Sequence, residues 1–223
     1  MSNQQQENRA NAGHMPETMP IFPLGGALLL PGGQLPLNIF EPRYLRMVDD
    51  ALARHRMIGM IQPRETSTNT EKPPLYGIGC AGRLTGFNES DDGRYMITLT
   101  GIRRFRVAEE LSVDTPYRQI TADWVDFAGD GTPDPTAEMI DRERLLAAME
   151  MYLDAEGLKT DWDAVEEAPS EALVVSLAMG CPFAGNEKQA LLEAGDMATR
   201  AECLIALMEM SSVDDTKSDT MIQ

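Results

Sequence analysis

Hydrophobic and polar positions change their rhythm partway along the chain, from alternation every second residue to recurrence every third or fourth. Met19 to Leu24 and Gln34 to Phe40 are short extended runs punctuated by prolines and by the pairs Gly25-Gly26 and Gly32-Gly33. Prolines inside such runs predict edge strands or bulges, because proline donates nothing to a ladder. A helix follows: Pro42 suits its first position, where a missing N–H costs nothing, and Tyr44, Leu45, Val48 and Leu52 share one face. Met57 to Ile61 returns to strand, and 63–74 is a polar loop, expected to be mobile.

Tyr76 to Asn88 and Arg94 to Thr100 flank Asp91-Asp92-Gly93, which predicts a hairpin. Gly101 breaks the second run; Ile102, Phe105 and Val107 begin another strand, and Tyr117 to Val125 supply one more. Short strands with closely spaced turn signals predict a small barrel or sandwich.

Beyond Phe127 the texture is helical. Met139 to Leu153 has helical spacing, and Ser170 is placed to cap a helix over 171–179 ended by Gly180 and Pro182. Asn186 with Gln189 resembles a capping box for a helix to Ala194. Asp196 can cap a last helix whose Met197, Ala201, Leu204, Ile205 and Met208 form one apolar stripe. The expected organisation is a disordered leader, 1–17; a β-rich unit with one helix, 18–127; a linker, 128–135; a helical bundle, 136–212; and a flexible acidic tail, 213–223. The fold class is α+β.

Composition narrows the function. With 43% hydrophobic and 25% charged residues the chain has a globular profile. Its net charge is −17, and residues 136–223 hold 19 of the 36 acids but only 6 of the 19 basic residues. That balance argues against anionic membranes and makes nucleic acid an improbable partner, since phosphate binding needs a basic footprint. Cys80, Cys181 and Cys203 form no C-x-x-C pair, which fits a reducing cytosol better than a disulfide framework. Apolar runs such as 27–30 are far too short for a membrane span, and 1–14 has no signal-peptide pattern, so the expected location is cytoplasmic.

Candidate chemistry is sparse. No G-x-x-x-x-G-K-[ST] loop and no G-x-G-x-x-G after a strand is present. His14 and His55 have no partners at zinc-ligand spacing and read as surface histidines without a role. Cys181 reads as a buried, inert thiol, and the Asp91-Asp92 and Glu166-Glu167 pairs as solvated charge. No catalytic residue, metal or cofactor is expected. One basic cluster stands out, Arg103, Arg104 and Arg106. Its two readings are a nucleic-acid contact and pairing with surrounding acids, and the overall charge favours pairing.

Three motifs in order carry a resemblance: Phe22-Pro23-Leu24; Phe40-Glu41-Pro42-Arg43-Tyr44; and Gly101-Ile102-Arg103-Arg104-Phe105-Arg106-Val107. Together with the segments at 76–81, 92–95 and 188–200, they resemble the N-terminal, substrate-binding domain of the Lon protease family over about 18–210. The resemblance implies a PUA-like β-barrel followed by a helical bundle. It implies a non-catalytic, proteolysis-related module that binds exposed hydrophobic or unfolded polypeptide segments, or a proteolysis partner. The chain would be a stand-alone member without the AAA+ ATPase and Ser–Lys protease domains. The motif residues, Phe22, Pro23, Leu24, Phe40, Glu41, Pro42, Arg43, Tyr44, Gly101, Arg104 and Phe105, are expected to be structural. Glu41 would favour the helix N-terminus, and Arg43 and Tyr44 would tie the helix to the barrel. The alternative is an RNA-binding PUA-like module using the Arg103, Arg104, Arg106 cluster.

Overall fold

A computed structural model of the chain describes residues 15–64 and 72–219, with side chains as far as 211. The chain divides into two compact units, 1–132 and 133–223.

The first unit holds strands β1 (Thr18–Pro23), β2 (Gln34–Ile39), β3 (Met57–Ile61), β4 (Ile78–Glu89), β5 (Tyr95–Glu110) and β6 (Gln119–Asp123), with helix α1 (Pro42–Leu52) between β2 and β3. The sheet order is β2-β5-β4-β3-β1-β6, and β5 also pairs with β6. That extra pairing closes β1, β3, β4, β5 and β6 into a five-stranded barrel, one of the two architectures that the short, closely spaced strands predict and the one the resemblance implies. The prolines fit this layout. Pro36 lies on β2, an edge strand paired only to β5. Pro20 lies where β1 pairs with β6, and β3 takes over as a partner only from Ile21.

Gly101 departs from expectation. It does not end a strand: β5 runs unbroken for 16 residues through it. A register shift against β4 between Ala81 and Gly82 absorbs the irregularity. The cause lies elsewhere in the chain. Gly101 exchanges backbone hydrogen bonds with Gly32 and Gly33, both 2.9 Å, and a Cβ there would collide with the Leu30 carbonyl group. Leu28, Leu29 and Leu30 are buried beneath this crossing.

Met19, Ile21, Met57, Ile61, Ala81, Phe105 and Ile120 form the barrel core. Phe22 points the other way, onto Tyr44 of α1, with ring centroids 4.3 Å apart. The buried face of α1 is Tyr44, Met47, Val48 and Ala51; Leu45 and Leu52 are only partly covered. Tyr95 and Tyr117 fix the helix by donating hydroxyl hydrogen bonds to Asp49 and Asp50, at 3.1 and 2.7 Å. The expected leader lies outside the described residues up to 14, but Pro16 and Glu17 belong to the fold: the Pro16 carbonyl accepts from Trp124 Nε1 and the Glu17 carbonyl from the Ala122 N–H. The expected loop at 63–74 is bracketed by a Pro63–Leu75 bridge, and 65–71 lie outside the described residues.

The second unit holds α2 (Arg142–Ala155), α3 (Trp162–Glu167), α4 (Ser170–Gly180), α5 (Gly185–Glu193) and α6 (Met197–Asp219). The stripe expected on α6, Met197 to Met208, is buried throughout. Asp196 caps it, accepting from the Thr199 N–H at 2.7 Å. Other caps differ from expectation. Ser170 caps nothing; its Oγ accepts from Arg142 Nη1, and the same guanidinium closes α3 by donating to the carbonyls of Val165, Glu166 and Ala168. The capping box lies two residues earlier than Asn186, where the Glu187 carboxylate accepts from the Ala184 N–H. Met139 precedes α2 in a 3-10 turn and is exposed. The expected tail is helical in its backbone as far as Asp219, and 220–223 lie outside the described residues.

Candidate functional site

The motif residues separate by geometry. Phe105 is fully buried, its ring filling the space that Gly79 leaves by lacking a Cβ. Phe22 is buried on Tyr44; Leu24 donates its N–H to the Ile61 carbonyl. Pro42 opens α1. Glu41 precedes it without a side-chain cap and instead binds Arg43 at 2.8 Å, while the Arg43 guanidinium lies 4.5 Å over the Tyr44 ring. Phe40 is the exception, with 62% of its surface exposed.

Phe40 has apolar company. Its neighbour Ile39 pairs with Tyr95, and Asn38 with Met96, where β2 meets the hairpin end of β5. Across β5, Asn88 also pairs with Met96, and Phe87 lies one step along β4. Met96 is 48% exposed and Phe87 43%. Phe87 meets the Tyr95 ring edge-on at 5.0 Å, and the Arg94 guanidinium stands 5.9 Å from the Phe40 ring. Phe40 and Met96 therefore share one face at one end of a three-stranded sheet, while Phe87, paired with Ile97 and set against Tyr95, lies on the other face. Scattered exposed apolar residues need no explanation, whereas several at one end of a sheet mark a surface suited to binding. Tyr95, held by Asp49 from α1, gives this end a fixed frame. The sequence pattern could not single it out, since alternation marks Phe87 and Met96 as ordinary strand positions.

Two residues of the arginine cluster are committed elsewhere. Arg104 is buried, grips Asp130 through Nε and Nη2, and lies 4.8 Å over Phe127. Its own backbone N–H also donates to Asp130 at 2.8 Å. Arg106 pairs with Asp126 at 2.9 Å. Two of the three cations are thus neutralised by the segment following β6, as the pairing reading expects.

Two titratable residues singled out in the sequence are held by their surroundings. His55 is not a bare surface residue: it is half-buried and its Nδ1 accepts from the Met57 N–H at 3.2 Å. Burial, helped by Arg54, pushes its pKa down. Cys181 is buried, and burial pushes its thiol up to about 11, which leaves it protonated and unreactive. Among the described residues no group of three or more His, Cys, Asp or Glu could hold a metal ion, and no helix is long and apolar enough to cross a membrane.

Comparison with known proteins bears on the family and the fold. The family model described as the ATP-dependent protease La (LON) substrate-binding domain matches residues 18–210. A Lon protease 2 from Thermus thermophilus is 26% identical over 204 residues, covering 87% of this chain but 24% of that protein. A Lon N-terminal domain protein from Xanthomonas campestris superimposes with a TM-score of 0.60 at 24% identity, covering 85% of this chain and 97% of its own. The N-terminal domain of a Mycobacterium avium complex Lon protease gives 0.62 at 16% identity, covering 86% and 98%. At these identities the two structures support the α+β fold.

Proposed function

Because the chain belongs to the family of the ATP-dependent protease La (LON) substrate-binding domain, we propose that it is a binding module for exposed apolar polypeptide segments and performs no chemistry of its own. The reading rests on one observation above others, the exposed Phe40 and Met96 on one face at the end of the β2–β5–β4 sheet. An unfolded client supplies apolar side chains that cover them. Burying one such side chain is worth about 1.5–3 kcal/mol, so the two supply about 3–6 of the ~8 kcal/mol of a micromolar complex, and the rest falls to the client's further contacts. Methionine and phenylalanine suit varied clients, because thioether and ring contacts do not demand one partner shape. The arginine cluster lends no support to RNA, since Arg104 and Arg106 already carry carboxylate partners.

The test is fluorescence anisotropy with a labelled, permanently unfolded reporter protein. Replacing Phe40 and Met96 together by Ser is expected to weaken binding at least about tenfold, one decade per ~1.4 kcal/mol, with an unchanged melting temperature. Equal affinity for the variant and the parent would mean that the patch takes no part in capture.

A further inference from the structure

A cavity of about 740 Å³ opens in the first unit between the end of β1, the start of α1 and the loop preceding β6. That volume lies in the ~300–1,000 Å³ range of ligand sites. Its walls are of two kinds. Pro23, Pro73, Val113 and Pro116 give apolar surface, while Arg43, Lys72 and Arg118 bring cations into a chain whose net charge is −17.

Tyr44 makes this more than a crevice. It lines the cavity, is only 7% exposed, and has its ring between Phe22 and the Arg43 guanidinium. Yet its hydroxyl makes no hydrogen bond to any described residue, although its own backbone N–H is satisfied by Glu41. The tyrosines beside α1 behave otherwise: Tyr95 and Tyr117 both donate to carboxylates. The Tyr44 oxygen is not sealed from water: it opens into the cavity, where an acceptor on a ligand can take the place of solvent. Burial pushes its pKa up, which keeps the proton on the oxygen at neutral pH.

The charges set what the partner is. Arg118 is engaged through all three nitrogens, Nε and Nη2 with the two Glu110 oxygens and Nη1 with the Pro73 carbonyl. Arg43 is paired with Glu41. Lys72 is exposed and forms no ion pair with a described residue. Among the described residues, Arg43, Lys72 and Arg118 against Glu41 and Glu110 leave one positive charge. One carboxylate balances it, whereas a phosphate dianion would leave negative charge uncompensated among apolar walls.

We propose that this cavity is a second binding site, which takes a single carboxylate carried on a short apolar peptide segment, with the Tyr44 hydroxyl and the Lys72 ammonium as its donors. It uses none of Phe40, Phe87 or Met96 and stands independently of the patch. The carboxylate can be a chain terminus or an acidic side chain, and the test distinguishes them.

The probes are labelled apolar hexapeptides in four forms: free C-terminal acid, C-terminal amide, amide with one internal Asp, and amide with one internal phosphoserine. Binding to the full chain is measured by anisotropy at low salt. At least one carboxylate form should bind at least about tenfold more tightly than the plain amide; which of the two does so identifies the source. Tyr44→Phe and Lys72→Gln should each weaken that form about three- to tenfold and leave the amide unchanged. Phe40→Ser with Met96→Ser should bind it like the parent. The proposal is overturned if acid, Asp and plain amide forms bind alike, if the phosphoserine form binds tightest, or if neither single variant changes affinity. Lys72 lies on the surface, so Lys72→Gln decides the matter even if Tyr44→Phe impairs folding.

Discussion

At Gly101 the backbone of 28–33 crosses β5 so closely that no side chain fits. The Leu30 carbonyl carbon lies 2.7 Å from where a Cβ would be, and its oxygen is nearer still. Both atoms are backbone, so neither can swing away. Gly101→Ala should therefore cost about 3 kcal/mol or more, seen as a large drop in urea midpoint; a loss below about 1 kcal/mol would mean the crossing is loose. Asp130 is the second residue of consequence. Asp130→Ala removes the carboxylate from a buried guanidinium and should cost about 3–5 kcal/mol, whereas Asp126→Ala, on the exposed Arg106 pair, should cost under about 1 kcal/mol. His55 supplies a pH test. Burial and Arg54 lower its pKa from 6.5 in the folded chain, so the unfolded chain binds the proton more readily. The stability it contributes is full above about pH 6.5 and declines as pH falls from there toward the lowered folded value. His55→Asn, which keeps an acceptor for the Met57 N–H, should flatten that decline in urea melts.

Elements were legible in the sequence to different depths. The α6 stripe and its Asp196 cap could be read because both depend on residues within a few positions. β3 was legible for the same reason. The unbroken β5 was not, because glycine's role at 101 is set by a segment about 70 residues earlier. α3 was missed since its C-terminal carbonyls are satisfied by Arg142, a side chain from another helix. That remote donor also explains why Ser170 does not cap. Phe40 and Tyr44 sit in one motif and look equally structural in sequence; only the fold shows the first exposed and the second buried beside a cavity. Asp134 joins local and distant structure in the helical unit. It accepts from the N–H groups of Thr136 and Met197, thereby pinning the 3-10 turn to the start of α6. Burial alone would raise its pKa, but the hydrogen bonds from Thr136 and Met197, with Arg200, hold it below 3.8. Its contribution is present above about pH 3.8 and lost as pH falls through the lower folded value. Asp134→Ala should lower the stability of the helical unit by about 1–3 kcal/mol at neutral pH, measured by helix-signal melting, and should weaken its loss in acid.

For the whole molecule, the two units divide the charge unequally, with the acidic excess concentrated in the second. That excess favours solubility and opposes phosphate-rich partners, while the first unit carries both the apolar end of the sheet and the cationic cavity. Recognition by such a surface needs no reactive group, which is consistent with an inert Cys181 and a half-buried His55 engaged with the backbone. Docking of unfolded polypeptide at the Phe40 end of the β2–β5–β4 sheet is most directly tested by site-specific photocrosslinking. A benzophenone side chain would be placed in turn at positions 40, 96 and 125, the last a control because Val125 is 79% exposed in the same unit but outside the patch. With an unfolded reporter present, docking at the patch predicts strong crosslinks from 40 and 96 and little from 125. Equal labelling at all three positions, or labelling from 125 alone, would contradict it.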